Sequence, residues 1–138
     1  MLIVSACLAG IDCRYDRKAK PCQKVMNLVK EEKAIPVCPE QLWGLPTPRI
    51  AAEMQENWKI VRKDWIDVTR EYQKWAEETL KIAKMIWCNE AILKSKSPSC
   101  GCGKIYDGNF EWNLKEWDGI CAKLLKDNWI EIQNEDEI

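Results

Sequence analysis

The stretch EAILKSKSPSCGCGKIYDG, residues 90–108, joins a short apolar run to a loop rich in cysteine and glycine. The run AILK at residues 91–94 is typical of a buried strand, and the proline and glycine residues after it favour a loop. Glycine next to Cys100 lets backbone N–H groups approach a ligand closely. Core packing does not explain cysteines in such a loop, so the pattern indicates a strand that carries a thiol to a site.

Two earlier segments repeat this arrangement of a strand followed by a cysteine. A β-branched run over residues 1–5 predicts a strand that leads to Cys7, and AIPVCPE, residues 34–40, predicts a strand that leads to Cys38. In a parallel sheet the carboxyl ends of the strands share one edge, where loops form a site. The three thiols are therefore expected together, as a metal site. Cys88 and Cys121 are interpreted instead as small hydrophobic residues of helices.

Helical periodicity separates the predicted strands. The apolar spacing predicts helices over residues 23–33, 68–86 and 114–127, with Thr69 as the cap of the second, and residues 130–133 predict a final strand. Residues 41–49 contain prolines and a glycine and predict an irregular loop. The alternation of strands and helices predicts an α/β sandwich with a mainly parallel, Rossmann-like sheet, formed by a single domain over residues 1–138.

The amino-acid composition excludes several kinds of catalytic and metal site. The 138 residues include eight cysteines and no histidine, and the net charge is −1. Without histidine there is no Cys-His dyad, Ser-His-Asp triad or His-ligated zinc, so acid–base work falls to other side chains or water. Cysteines without an export signal indicate free thiols in a reducing, cytoplasmic setting. No apolar run is long enough to span a membrane, and no basic stripe indicates a nucleic-acid surface, so we expect a small substrate.

The motifs VSACLAG, CRYD, PVCPEQLWGLPTPR, KDWIDVT and ILKSKSPSCGCGKIYDGNF together resemble domain-of-unknown-function family 523, the thiouracil desulfidases. The resemblance runs over nearly the whole chain. It implies a [4Fe–4S] cluster held by Cys7, Cys38 and Cys100, with one iron left open. It also implies removal of sulfur from a thiolated uracil, which gives uracil and hydrosulfide.

This implied chemistry assigns further candidates. A thiocarbonyl sulfur and an open iron of a thiolate-ligated cluster are both soft, so they match each other. Water must attack the ring carbon, and Glu40 is the first candidate for the base, with a solvated carboxylate or a helix-cap partner as the equal alternative. Ser97 and Ser99 are expected to orient water or ring carbonyls. The expected pocket-lining residues are Arg14, Tyr15, Asp16, Tyr106 and Asp107.

A different class of function stays open at this point. Cys13 or Cys102 as a fourth ligand would close the cluster into an electron-transfer centre or hold a structural zinc, and a sulfur or metal carrier is a third alternative. Cys13 is the poorer ligand candidate, and Cys102 is expected at the rim near the open iron. Long members of the family carry a second domain suited to thiolated tRNA. We expect no second domain here and therefore a free base, nucleoside or nucleotide as the partner, and the oligomeric state is not predicted.

The tryptophans have an unusual distribution. Trp75 lies within a predicted helix, whereas seven others fall at turns or helix ends where glycine is typical: Trp43, Trp58, Trp65, Trp87, Trp112, Trp117 and Trp129. A left-handed backbone costs a non-glycine residue about 1–2 kcal/mol. Our hypothesis is that many of these positions are glycine in the natural protein, through UGA codons read as glycine. None of the seven is therefore counted as a substrate-binding aromatic.

Overall fold

The computed structural model describes residues 1–42 and 44–138, which form three helices, eight strands and one 3₁₀ turn. The helices are α1 (Gln23–Lys30), α2 (Thr69–Met85) and α3 (Ile120–Asp127), and the 3₁₀ turn spans Ala6–Ala9. The strands are β1 (Leu2–Ser5), β2 (Ala34–Val37), β3 (Ala52–Met54), β4 (Ile60–Arg62), β5 (Glu90–Leu93), β6 (Ile105–Tyr106), β7 (Leu114–Lys115) and β8 (Glu131–Asn134).

The central sheet has four strands in the order β2-β1-β5-β8, and all its pairs are parallel. In the register, Ile3 lies beside Ile35 on one neighbouring strand and beside Ala91 on the other. The predicted α/β fold with a mainly parallel sheet is confirmed. Strands β1, β2 and β5 end directly before Cys7, Cys38 and the loop of Cys100, so the sheet sends all three cysteines to its carboxyl edge.

Alternating side chains fill the two faces of the sheet. Ile3 and Leu93 pack with Leu125 in a core beneath α2 and α3. Val4 and Ile92 point the other way and pack in a second core with Val25 of α1. Because successive strand residues face opposite sides, the short apolar strands serve both cores, and the result is a three-layer sandwich.

A third core lies beside the sandwich and was not predicted. Strands β3 and β4 form an antiparallel pair, and so do β6 and β7. Ile60 and Ile105 from these pairs pack around Trp75 of α2, and all three side chains are fully buried. The position of Trp75 inside a helix is as predicted. The segment KIVRKDWIDVT, residues 59–69, does predict a short strand, a turn and another extended piece, and β4 confirms the strand. Strands β3, β6 and β7 were not predicted, because strands of two or three residues show too little alternation.

Helices α1 and α3 are shorter than the sequence predicts, and the cap of α2 differs. The helix predicted over residues 23–33 ends at Lys30. The helix predicted over residues 114–127 begins only at Ile120, because Leu114–Lys115 pair with Ile105–Tyr106 as a strand. Thr69 does not cap α2: its Oγ1 accepts the Ile60 N–H at 2.8 Å, and the cap position is Val68. The Thr69 N–H instead donates to Asp67 Oδ1 at 2.9 Å, so a side chain two residues upstream satisfies this helix end.

Five of the seven unusual tryptophans have a left-handed backbone, with φ between 54° and 68°: Trp58, Trp65, Trp87, Trp112 and Trp129. The prediction of turn positions is confirmed for these five. It is wrong for Trp117, whose φ is not positive, and Trp43 lies outside the described residues. Across residues 1–42 and 44–138, no helix has both the length and the apolar character needed to cross a membrane.

Glu135, directly after β8, connects this last strand to the end of β5 through hydrogen bonds and an ion pair, which are expected to stabilise the fold. Its carboxylate accepts the Ser95 N–H at 2.9 Å and the Ser95 hydroxyl at 2.8 Å, and it pairs with Lys94. Burial raises the pKa of Glu135, but the hydrogen bonds from Lys94 and Ser95 lower it, and the net pKa lies below its ordinary value. The carboxylate therefore stabilises the fold above the unfolded-state pKa, and this contribution is lost as pH falls through the folded-state pKa.

Glu135→Gln is expected to lower the free energy of unfolding by about 1–2 kcal/mol at neutral pH, because charge-assisted hydrogen bonds are lost. The difference from wild type should shrink as pH falls below about 4. Urea denaturation at several pH values measures both effects, with Glu131→Gln on the exposed face of β8 as the matched control. A pH-independent difference would contradict this account.

Candidate metal centre and active site

Cys7 lies in the 3₁₀ turn directly after β1 and is buried. Its carbonyl accepts the Lys20 N–H at 3.0 Å, and the neighbouring Leu8 carbonyl accepts the Cys22 N–H at 2.8 Å. These bonds fold the loop over residues 10–22 back onto the turn. Cys13, within that loop, is 1% exposed and packs in the same core as Cys7.

The cysteine cluster, defined here as Cys7, Cys13, Cys38 and Cys100, gathers at the carboxyl edge of the sheet. The Cys13 side chain hydrogen bonds with those of Cys38 and Cys7, and the Cys38 Sγ donates to the Cys13 carbonyl at 3.8 Å. Cys100 lies close enough to Cys38 for the two to interact electrostatically, and its thiol hydrogen bonds with Ser5 at the end of β1. Thiols that follow three different strands therefore lie at one edge of the sheet, with Cys13 beside them. That Cys7, Cys38 and Cys100 together hold one cluster stays a prediction.

Proton binding in this cluster is strengthened by burial and by the neighbouring sulfurs. The hydrogen bond with Cys38 lowers the pKa of Cys13. The hydrogen bond with Cys7 and the burial of the thiol outweigh this effect, and together they raise the pKa of Cys13 to about 11. The hydrogen bond with Cys13, together with burial, raises the pKa of Cys38, and burial raises that of Cys100. Metal binding to thiols displaces such protons, since the thiolate is the ligand.

The donor set of the cysteine cluster fits an iron–sulfur group. All four donors are thiols, which are soft ligands typical of Fe–S clusters. Within the described residues, no three Cys, Asp or Glu side chains converge tightly enough to hold a single metal ion. The fit to an iron–sulfur group therefore rests on the thiol chemistry of the donors.

The loop of Cys100 is fixed by Ser97. The Ser97 Oγ accepts the N–H groups of Ser99 and Cys100, both at 3.0 Å, and its carbonyl accepts the Gly101 N–H at 2.8 Å. A Cβ on Gly101 would lie 2.6 Å from that carbonyl oxygen, so only glycine fits. Ser99 is fully buried, and its Oγ has no hydrogen-bond partner among residues 1–42 and 44–138.

Cys102, which is expected at the rim near the open iron, lies beside α3. Its side chain hydrogen bonds with Lys126 of α3. The flanking backbone causes this: the Gly101 carbonyl accepts the Gly119 N–H at 2.6 Å, and the Gly103 N–H donates to Asp118 at 2.7 Å. These bonds draw the segment towards α3.

The two remaining cysteines assigned to helices behave as small structural residues. Cys121 is fully buried in α3, and burial raises its pKa to about 12. Cys88 donates to the Glu90 carbonyl at 3.0 Å just after α2. Neither thiol takes part in the cysteine cluster's hydrogen bonds, in agreement with the sequence-based interpretation.

Glu40, two residues after Cys38, belongs to a half-buried ionic network. The Arg49 guanidinium binds Glu40 Oε2 through Nε at 3.1 Å and through Nη2, and the Tyr72 hydroxyl donates to Oε1 at 3.0 Å. The same Nη2 donates to the Cys13 carbonyl at 3.0 Å. Glu40 is therefore neither a freely solvated carboxylate nor a helix-cap partner, the two alternatives to a catalytic base.

Arg49 and Tyr72 were missed by the sequence analysis. Arg49 ends the PTPR segment of the irregular loop. The only sequence signal for a role of Arg49 in the site is its position as a single arginine directly after these prolines. Tyr72 fell in the apolar stripe of α2 and is almost fully buried. Burial lowers the pKa of Arg49, but the attraction of Glu40 outweighs burial, so the net pKa of Arg49 lies above its ordinary value. Burial and Glu40 both raise the pKa of Tyr72. The two groups therefore act as cation and neutral hydroxyl donor.

The other predicted pocket residues lie in local contacts. Arg14 approaches Asp16 at 3.8 Å, and its guanidinium lies 5.7 Å from the ring centre of Tyr15. Asp107 accepts the Asn109 N–H at 3.0 Å within its own turn. Tyr106 ends β6, and its N–H donates to the Lys96 carbonyl, one residue before Ser97. Arg14 and Tyr106 thus flank the cysteine-bearing loops, whereas Asp107 stabilises a turn.

Comparison with known proteins places the chain among enzymes that act on thiolated uracil. A family model described as 2-thiouracil desulfurase matches residues 2–137. The uncharacterized protein YbbK of Bacillus subtilis (strain 168) is 40% identical, and the match covers 100% of this chain and 97% of YbbK. A solved structure of the [4Fe-4S]-dependent thiouracil desulfidase TudS (DUF523Vcz) matches with a TM-score of 0.93 at 39% identity, over 99% of this chain and 91% of that one.

These matches confirm the resemblance drawn from the motifs. The family model extends from the first strand to the end of the last turn, so it includes all four cysteines of the cluster and Glu40. The chain belongs to the 2-thiouracil desulfurase family.

Proposed function

We propose that this protein is an iron–sulfur-dependent desulfidase that removes sulfur from thiouracil or a related small thiolated nucleobase or nucleoside. Water replaces the sulfur, so a C=S group and H₂O give a C=O group, hydrosulfide and a proton. The observation that carries the proposal is the meeting of thiols from three strand ends beside the anchored carboxylate of Glu40. Family membership and the similarity to TudS support it.

Cys7, Cys38 and Cys100 are the proposed ligands of a [4Fe–4S] cluster with one iron free of protein ligands. Each follows a different strand of one parallel sheet, and each is buried or half-buried. When bound, such a cluster supplies a Lewis acid suited to a soft thiocarbonyl sulfur. The thiols themselves keep the site shielded from water by packing in the cores on both sides of the sheet.

Glu40 is the proposed general base. Each of its oxygens accepts from one neighbour, Arg49 or Tyr72, and a carboxylate oxygen has room for a further hydrogen bond. The carboxylate can therefore accept a proton from an attacking water while its orientation stays fixed. Ser97 is proposed as the second catalytic residue: its Oγ already accepts two N–H groups, which leaves its own proton to donate to a substrate carbonyl.

The proposed substrate is small and neutral or weakly charged. The net charge of −1 gives no general attraction for a polyanion, so we expect a free base or nucleoside rather than tRNA. Arg14, Ser99, Tyr106 and Asp107 stay predictions as substrate-binding residues. The burial of Ser99 and the turn contacts of Asp107 favour Arg14 and Tyr106 for direct contact. A reducing compartment such as the cytoplasm suits the free thiols.

A second candidate function rests on Cys13. Because Cys13 hydrogen bonds with two of the proposed ligands, it could serve as a fourth thiolate that closes the cluster into an electron-transfer centre. A closed cluster has no position for a substrate sulfur. The number of thiols that the cluster needs therefore separates the two functions.

Alanine variants of the cysteine cluster test the number of ligands. Cys7→Ala, Cys38→Ala and Cys100→Ala should each lose the iron–sulfur group and all desulfidase activity, because two thiolates hold it poorly. Cys13→Ala should keep it, and Cys102→Ala, outside the cysteine cluster, is the matched control. Iron and sulfide analysis after anaerobic reconstitution measures retention. Loss of the group in Cys13→Ala would contradict the open iron and favour electron transfer, and binding of one zinc by a folded, iron-free protein would favour a structural site.

Replacement of the proposed base tests the role of Glu40. Glu40→Gln should lower turnover of 4-thiouracil by ~10²–10⁴-fold, the usual contribution of a positioned base, with the iron content unchanged. Glu56→Gln, at an exposed position, is the control for removal of one carboxylate. Full turnover by Glu40→Gln would assign the proton transfer to another group.

A further inference from the structure

Arg49 makes more contacts with the site than a surface loop residue would need. Its side chain is 6% exposed, and its donors reach three different groups. Nε and Nη2 bind Glu40, Nη1 donates to Thr47 Oγ1 at 3.2 Å, and Nη2 also donates to the Cys13 carbonyl at 3.0 Å. A buried guanidinium is costly unless it is paired, and here four of its five N–H donors are hydrogen-bonded.

The contacts of Arg49 connect the carboxylate with the thiols. The Cys13 carbonyl that accepts from Arg49 also accepts from the Cys38 Sγ at 3.8 Å. A chain of contacts thus runs from Glu40 through Arg49 and the Cys13 carbonyl to Cys38. Tyr72 holds the other oxygen of Glu40 from the side of α2. The carboxylate is therefore oriented relative to the cysteine cluster and not only relative to its own loop.

We propose that Arg49 is a positioning residue that sets the orientation of Glu40 towards the cysteine cluster, with Tyr72 as its partner on the second oxygen. This inference rests on the proposed function, because it assigns a role relative to the proposed base. A lysine at position 49 would keep the charge but lose the planar fork that binds Glu40 and the Cys13 carbonyl together. Geometry rather than charge is the property that matters.

Arg49→Lys is expected to lower kcat by ~10–100-fold with little change in KM, since misplacement of a catalytic group by about 1 Å costs ~10²-fold. Iron content and the visible spectrum of the reconstituted protein should match wild type. Arg49→Ala should regain part of its kcat when guanidinium ion is added, and Glu40→Gln should not. Arg62→Lys, which alters an exposed Arg–Asp pair, is the matched control with unchanged activity.

The outcomes separate this inference from the proposed function. A reconstituted wild-type protein without desulfidase activity would overturn the function itself. An active wild type with full kcat in Arg49→Lys would overturn the positioning role alone. If Arg49→Ala does not fold, Tyr72→Phe provides the second test: it should reduce kcat without loss of iron, and an unchanged kcat in both Tyr72→Phe and Arg49→Lys would also overturn the role.

A second inference concerns the tryptophans and rests on the backbone alone. Five of the seven tryptophans that the structure describes have positive φ. Only four other described residues besides glycine do so, namely Arg17, Glu32, Lys96 and Phe110. Positive φ is a genuine outlier for a bulky side chain. These five residues are between 53% and 93% exposed, so none of them is held in place by a buried core.

Two of the five occupy the position after a helix where glycine is typical. At the end of α2 the Trp87 N–H donates to the Lys84 carbonyl at 3.3 Å and the Cys88 N–H to the Ala83 carbonyl at 2.9 Å. At the end of α3 the Trp129 N–H donates to the Lys126 carbonyl at 3.0 Å and the Ile130 N–H to the Leu125 carbonyl at 3.1 Å. Both patterns are Schellman motifs, with tryptophan as the left-handed C′ residue.

Two further tryptophans take the glycine position of tight hairpin turns. The Trp58 N–H donates to the Gln55 carbonyl at 3.1 Å, and the Gln55 N–H donates to the Lys59 carbonyl at 2.8 Å. The turn at Trp65 repeats this pattern, with bonds from Trp65 to Arg62 and from Arg62 to Ile66 at 2.8 and 2.9 Å. A turn followed by a left-handed residue is the G1-bulge hairpin, in which that residue is usually glycine.

We infer that Trp58, Trp65, Trp87, Trp112 and Trp129 are glycine in the natural protein, each encoded by a UGA codon that the source organism reads as glycine. Trp75 is excluded because it is helical and buried, and Trp117 is excluded because its φ is ordinary. The stacked rings of Trp58 and Trp117, whose centres are 3.9 Å apart, would then not exist as a pair in the natural protein, because Trp58 would be glycine.

The codons of the gene and the mass of the protein from its source organism decide this inference. UGA codons and glycine-containing peptides at the five positions are expected, and UGG codons or tryptophan peptides would overturn it. A chain with glycine at all five positions should melt higher than the tryptophan form, by roughly 3–6 °C per site. Trp75→Gly, in the buried core, should melt lower, and equal melting of the two forms would contradict the backbone argument.

Discussion

Parallel pairing within the central sheet is the constraint on which the site depends. β1 lies between β2 and β5, and all three run in one direction, so each strand delivers its following loop to the same edge. The three loops carry Cys7, Cys38 and the segment of Cys100. If one strand ran antiparallel, its cysteine would lie some 10–15 Å away at the other edge, since a four-residue strand rises about 3.3 Å per residue.

The carboxyl edge of the central sheet also places the charged side chains of Glu40 and Arg49 beside the cysteine cluster. The two short antiparallel pairs and α2 add a third core beside the sheet, and Tyr72 from that core reaches Glu40. Arg49 then joins Glu40 to the backbone of Cys13. The site thus combines buried thiols from the sandwich with a carboxylate held by both the sandwich and the smaller core. The sandwich supplies the thiols and Glu40, and the smaller core supplies the Tyr72 hydroxyl that binds the carboxylate.

Features of the fold that follow from short sequence patterns and from the rules of sheet topology could be predicted from the sequence. Strand–cysteine spacing was enough for the parallel sheet and for the meeting of Cys7, Cys38 and Cys100, and turn chemistry was enough for five tryptophan positions. Contacts between distant residues were not predictable in the same way. Arg49 meets Glu40 and Cys13 only through the path of an irregular loop, and Cys102 faces Lys126 because two glycines hydrogen bond with residues near α3.

The most direct test of the central claim is the stoichiometry of sulfur release by the anaerobically reconstituted wild-type protein. The account predicts one hydrosulfide and one uracil for each 4-thiouracil consumed, over many turnovers, with no reductant added and no activity in the iron-free protein. Turnover that is equal with and without iron, or a fully loaded iron–sulfur protein that releases no hydrosulfide, would contradict it.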